Sequence, residues 1–398
     1  MPDAAEIRQM MPGVLDTVYL NTGTCGPMPT IVHEAMVDEL RKDLTKARIT
    51  SEHFTHLFDL WGETREAVAS VIGADPEEIA VTNRTTDGMY IPIMGFPWQP
   101  GEELIISNIE HPGGLLPAFL AKKRFGVRVK VADIGLGGGD KQHVVETFEQ
   151  LITHRTRMIA ISHVSYTTGA TLPVKEIVEM AHTHDVLVVV DAAQSFGAFP
   201  VDVHDLGVDF FACPGQKWMC GPDGTGALYV RADRLGEIEQ NHGGMLEWES
   251  LDYHGRTYQP ARNASRFDTG GWNLGLLAGQ IASTTWVRDT VGLDWAYERI
   301  ARLTSDTYDQ LQEIEGVTLV TPREAMAGLV TFTLEGFDPA DLSERLAEDH
   351  NVTIRHVTKY INNPDAARVS VGFYNDESDI ERLIDGIENL KAARPSVE

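Results

Sequence analysis

Cysteine, basic residues and unbroken apolar stretches are all scarce in this chain, and each shortage closes off a class of protein. Only Cys25, Cys213 and Cys220 occur in 398 residues. Three irregularly placed thiols without a CxxC pair do not make a disulfide scaffold or a structural zinc site, so a reducing interior is the simpler setting. Lys and Arg total 33 against 59 Asp and Glu, a formal charge of -26. That balance disfavours a nucleic-acid surface and favours a free, soluble protein. Asp3, Glu6 and Arg8 open the chain with no long apolar run behind them, and no segment has the continuous apolar length of a membrane span. The reading is a cytoplasmic protein without a membrane partner. Against these absences, 42% hydrophobic composition over 398 residues can bury a large core, and two domains are expected.

The apolar patterning has an α/β rhythm. Leu104 to Ser107, Val129 to Val131, Arg157 to Ser162, Leu187 to Val190 and Asp209 to Ala212 are short apolar runs separated by helical segments, which predicts a mostly parallel sheet. Ala227 to Val230 adds a strand at an edge or antiparallel to the rest. Amphipathic helices are expected over Ile31 to Arg48 and Leu57 to Ile72, the latter closed by Gly73, with a long helix over Leu293 to Ile314. Leu329 to Leu334, Asp341 to Glu348, Val369 to Phe373 and Glu377 to Leu390 give a second, α+β unit. Residues 17–260 are read as a large cofactor-binding domain. Residues 1–16 and 261–398 are read as an N-terminal arm and a smaller C-terminal domain with its connection. Asn241 to Asn273 has no sustained period and reads as a long, site-shaping connection.

Two segments offer an amine and a carboxylate together. Lys217 follows the apolar run Phe210-Phe211-Ala212-Cys213 and precedes Trp218, which argues against a freely solvated ammonium. Asp191 closes Leu187-Val188-Val189-Val190 at the carboxyl end of a strand, where open parallel sheets bind ligands. A lysine in such a place condenses with an aldehyde cofactor, and a carboxylate holds a pyridine nitrogen protonated, the combination that pyridoxal phosphate requires. Thr85 and Thr86 begin a helix before Asp87-Gly88, a position that gathers a phosphate or simply caps the helix. Asp191 has the same capping alternative, and Arg368 has that of an interdomain salt bridge.

In order along the chain, Thr85-Thr86-Asp87-Gly88, Glu110-His111, Ser162-His163-Val164-Ser165, Asp191-Ala192-Ala193-Gln194, Gly215-Gln216-Lys217-Trp218, Arg266-Phe267-Asp268 and Arg368-Val369-Ser370 resemble the core of class V aminotransferase-fold enzymes. This group includes cysteine desulfurases, cystine C-S lyases, selenocysteine lyases and isopenicillin N epimerases. The resemblance implies fold type I of the pyridoxal phosphate enzymes, α/β with a large mostly parallel-sheet domain and a smaller α+β domain, and a homodimer. It assigns Lys217 to the cofactor aldehyde and to the Cα proton, Asp191 to the pyridine nitrogen, Gln194 to the phenolic oxygen and His111 to one face of the ring. Arg368 takes the α-carboxylate of an amino-acid substrate.

The chain departs from the family pattern in four places. Tyr166 stands where Asn is usual, Gln216 where His is usual, Pro214 for a frequent Ser, and Gly271 for the Thr that reaches a neighbouring subunit's phosphate. Gln216 and the Gly271 N-H remain candidate phosphate donors, whereas Pro214 offers neither hydroxyl nor N-H. The segment His356 to Pro364, which resembles the mobile cysteine loop of a desulfurase, has no cysteine. The leading expectation is therefore β-elimination from a cysteine- or cystine-like amino acid, a reaction that needs no enzyme thiol. Epimerisation, with Tyr166 as a candidate opposite-face proton donor, transamination, and a non-enzymatic cofactor-binding or interaction module are the alternatives. No metal is expected.

Overall fold

The computed structural model describes residues 3–244, 247–358 and 365–393. Strands are numbered along the chain. β1 is Val18–Tyr19, β2 Ile79–Thr82, β3 Glu103–Ser107, β4 Arg128–Ala132, β5 Thr156–Ser162, β6 Leu187–Asp191, β7 Phe210–Pro214 and β8 Gly226–Val230. β2 to β8 form one seven-stranded sheet in the order β2-β8-β7-β6-β5-β3-β4. The five strands from β7 to β4 run parallel, while β8 is antiparallel to both β7 and β2. Central strands of such a sheet are covered on both faces by helices, which is why β3, β6, β7 and β8 are buried along their whole length and read as continuous apolar runs. β4 lies at the edge and carries exposed Arg128 and half-buried Lys130, charges that discourage pairing with another sheet. The antiparallel expectation for Ala227 to Val230 holds, but the edge position does not: β2 lies outside β8.

The remaining strands are β9 Trp248–Asp252, β10 Thr257–Pro260, β11 Val317–Leu319, β12 Leu329–Leu334, β13 Val352–Thr353, β14 Arg355–Val357 and β15 Ala366–Ser370. β9 and β10 form an exposed hairpin inside the expected irregular connection. β11-β12-β15-β14 make a four-stranded antiparallel sheet, backed by the helices Pro339–His350 and Leu293–Glu313, with Glu377–Ala392 packed into the same core. β15 ends three residues before the expected Phe373. Val371 N-H donates to the Gly328 carbonyl, and at Gly372 a Cβ would lie 2.3 Å from the Tyr374 ring, so the chain leaves the sheet there. The long helix runs over Leu293–Glu313 and is joined to the helix Leu274–Thr285 by π-helical turns over Trp286–Gly292. β1 pairs with β13 in parallel, and an Asn21 to Ser370 bridge continues the link. The chain start is thereby stitched to the C-terminal sheet. Among the described residues no helix is long and apolar enough to cross a membrane.

Candidate active site

Lys217 sits in the turn that leaves β7. The Gly26 N-H donates to the Gln216 carbonyl at 2.7 Å and the Cys220 N-H to the Lys217 carbonyl at 3.0 Å. A Cβ on residue 26 would sit 2.2 Å from the Lys217 carbonyl oxygen, so only glycine lets the N-terminal loop lie on this turn. Trp218 is fully buried and its Nε1 donates to Gln194 Oε1 at 3.1 Å. These contacts fix the turn without engaging the amine. Burial pushes Lys217 down to about 8, with the Asp191 carboxylate opposing the shift and the Arg368 cation adding to it. A lysine so placed is neutral for a substantial fraction of the time near pH 8, as a nucleophilic amine must be.

Asp191 is the last residue of β6, in register with Ser162 of β5, and is 4% exposed. Its Oδ1 accepts from the Ala193 N-H at 2.9 Å. One oxygen thus makes the capping contact, and Asp191 also lines the pocket. Gln194 donates through Nε2 to the Gly23 carbonyl at 2.8 Å and accepts from Trp218, leaving its second amide proton available.

His111 precedes the helix Pro112–Phe125, and its Nδ1 accepts from the Gly113 N-H at 2.9 Å. That bond requires a neutral ring protonated on Nε2. Burial pushes the imidazole in the same direction, below its usual range, with Lys217 and Arg368 adding to the shift and Asp191 opposing it. The Tyr166 ring meets His111 edge-on at 4.7 Å between centroids. The residue preceding His111, Glu110, is buried between the hydroxyls of Ser107 and Ser162, which donate to its two oxygens at 2.5 and 2.6 Å, and burial pushes it up to about 7. His163 packs edge-on against Phe199 and Phe211, where burial pushes it down to about 4, a packing role.

Arg368 is the most telling side chain. It projects from β15, is 2% exposed, and donates to the Tyr166 carbonyl at 2.9 Å and to Thr24 Oγ1 at 3.0 Å. It forms no ion pair with a carboxylate among the described residues, and its Nε has no partner. Burial pushes it down to about 10, with Arg355, its register neighbour on β14, adding to the shift. A buried guanidinium without a carboxylate is costly unless an anion joins it.

Lys217, Asp191, Gln194, His111, Tyr166 and Arg368 all line one cavity of about 240 Å³. Thr85, Thr86 and Gln216 border the same space, where the helix Thr85–Gly95 begins without a side-chain cap and Gln216 Oε1 has no partner. Uncapped N-H groups and hydroxyls suit a phosphate, and the amine and carboxylate suit a pyridine aldehyde, so the residues present fit pyridoxal phosphate. Gly271 stands apart, on a separate cavity of about 220 Å³. Its φ is 100°, and a Cβ there would lie 1.7 Å from Trp61 Nε1, which accounts for glycine at that position. Thr24, Arg84 and Arg355 also border the cavity, and the sequence motifs single out none of them. The one signal available was a basic residue immediately before the Thr85-Thr86 helix start.

The aminotransferase class-V family profile matches residues 18–383. A probable cysteine desulfurase of Halalkalibacterium halodurans is 31% identical, covering 98% of both chains. The cysteine desulfurase of Haloferax volcanii is 29% identical over 93% of this chain and 88% of its own length. Among solved structures, the cystine C-S lyase C-DES in complex with its product cysteine persulfide matches with a TM-score of 0.87 and 27% identity, over 94% of this chain and 98% of that one. The apo cysteine desulfurase of Thermococcus onnurineus gives 0.88 and 25% identity, covering 99% of each chain.

Proposed function

We propose, from the premise that this chain belongs to the aminotransferase class-V family, that it is a pyridoxal phosphate enzyme cleaving the carbon-sulfur bond of a cysteine- or cystine-like amino acid by β-elimination. The observation that carries the reading is Arg368, a buried cation lacking a carboxylate, on the same small cavity as the Lys217 amine and Asp191. When bound, the cofactor supplies an electron sink for charge developing at Cα. Arg368 holds the substrate carboxylate through its planar fork. Asp191 would hold the pyridine nitrogen of the cofactor, and His111 would present its flat face to the ring. Lys217, as a free base, removes the Cα proton. The Cβ-S bond then breaks with its electron pair leaving on sulfur, and 2-aminoacrylate hydrolyses to pyruvate and ammonia.

Elimination is favoured over enzyme-persulfide chemistry because the segment 356–364 has no cysteine. Its residues 359–364 lie outside the described residues. Cys213 and Cys220 are fully buried, and burial raises both thiols far above the range where thiolates form. The test is a panel of cystine, cysteine, cysteine sulfinate, an S-substituted cysteine and alanine, with pyruvate, sulfur products and chirality measured separately. Pyruvate from a sulfur substrate, without an enzyme-bound persulfide, is expected. Alanine accumulating with persulfide would overturn elimination in favour of desulfuration. Enantiomer interconversion would select epimerisation, and a requirement for a second amino-group acceptor would select transamination.

Arg368→Ala is expected to lower kcat/KM for carboxylate-bearing substrates by on the order of 10²-fold, the effect of deleting one partner of a buried charge-assisted pair. Cysteamine conjugates, which lack the carboxylate, should show no such drop. Equal losses on both would remove Arg368 from the carboxylate. A homodimer is part of the same proposal, supported by half-exposed Trp272 beside Gly271 and by exposed Phe58, apolar surface that suits a second copy. A cytoplasmic setting is supported by the three free thiols.

A further inference from the structure

Around the start of the helix Thr85–Gly95, every phosphate donor identified so far is neutral. Thr85 and Thr86 offer N-H groups and hydroxyls, Gln216 an amide, and Pro214 nothing. Lys217 is committed to the aldehyde, and Arg368 is tied to Tyr166 and Thr24. Arg84 is the cation at this helix start.

Its backbone is extended and packs on β8, where a Cβ on Gly226 would come within 3.0 Å of the Arg84 Cα and N. The residue borders the cavity, and its side chain is exposed. Nε donates to Asp87 Oδ1 at 3.2 Å, and neither Nη has a partner among the described residues. Asp87 Oδ2 accepts from the Asn83 N-H at 3.3 Å and from Nδ2 at 3.2 Å, so the aspartate stays in place whatever the arginine does. One edge of the guanidinium is anchored, and the opposite edge is left for an anion. The arginine end of the pair with Asp87 is solvent-exposed, which keeps that pair weak.

We propose that Arg84 is the cation that neutralises the phosphate of bound pyridoxal phosphate, a role that rests on the function proposed above. The test compares pyridoxal phosphate with pyridoxal, which carries the same ring and aldehyde without the phosphate. Dissociation constants are measured by absorbance titration of cofactor-stripped wild type, Arg84→Ala and Arg84→Lys. Arg84→Ala should weaken pyridoxal phosphate by on the order of ten- to a hundredfold, the range of one hydrogen bond to a charged group. Pyridoxal binding should not change, and Arg84→Lys should recover part of the loss as a point charge. An equal loss for both ligands, or no loss for pyridoxal phosphate, overturns the proposal. A wild type that holds pyridoxal phosphate at Lys217 beside an unaffected Arg84→Ala overturns only the role of Arg84. A wild type that never takes up the cofactor overturns the functional reading and this one with it.

Discussion

Lys217→Ala is expected to abolish covalent capture of pyridoxal phosphate and to cut turnover on the best sulfur substrate by on the order of 10²- to 10⁴-fold, the contribution of a positioned acid-base group. Borohydride reduction followed by peptide mass analysis checks the attachment point in the wild type. Attachment at another lysine, or undiminished turnover in the variant, would sink the assignment. The fold should survive, because backbone bonds and the Trp218 anchor hold the turn and no ion pair among the described residues uses the amine. Stability supplies a second readout with a definite sign. The folded state holds Lys217 near 8, below its unfolded value of about 10.4, so the stability gained by keeping it neutral is present at high pH. That stability is lost as pH falls through 8. Cofactor-free wild type should therefore lose stability relative to the alanine variant between pH 10 and pH 7, measured by thermal unfolding at both.

Asp191→Ala should make Cα proton removal harder by several kcal/mol, roughly the scale of one preorganised charge at a reacting group. Asp191→Asn separates charge from shape, since its amide oxygen can still accept from the Ala193 N-H that now caps the turn. Both variants should retain cofactor at Lys217, because the lysine turn makes its backbone contacts elsewhere. Single-turnover exchange of the Cα hydrogen for deuterium reports the step directly. An exchange rate unchanged in the asparagine variant would contradict the charge role, and a loss confined to the alanine variant would assign Asp191 to the turn alone.

The strands that carry this chemistry were legible because they are interior. β6 and β7 are covered on both faces, so their apolar runs are unbroken, and the polar residues that follow them stand out as site candidates. β2 was not legible. It has four residues, and its Val81 N-H is satisfied by Asp268 Oδ1, 187 positions away, a bond that no local pattern announces. The hairpin β9-β10 was hidden for the opposite reason: all but its last residue are exposed, so it has no apolar alternation to read. Within the site, Asp191, Gln194 and Lys217 follow one another closely and form a recognisable pattern. Thr24 acquires its bond to Arg368 only because the Asn21 to Ser370 bridge brings the two chain ends together. Arg355 is exposed on a short strand, and only the pairing with Arg368 across the sheet turns it toward the cavity.

That same stitching has a consequence for how the protein is made. Gly23 and Thr24 border the pocket from the beginning of the chain, and Arg368 closes it from near the end. Contacts of such sequence separation form late, after the intervening loop has been drawn together. During synthesis the large sheet can assemble with Lys217 already in its turn, but the Gly26 clasp on that turn is held in register by β13 and Ser370, which follow it by more than a hundred residues. The burial that lowers Lys217 therefore comes late, and until the C-terminal strands close the pocket its side chain is an ordinary solvated ammonium.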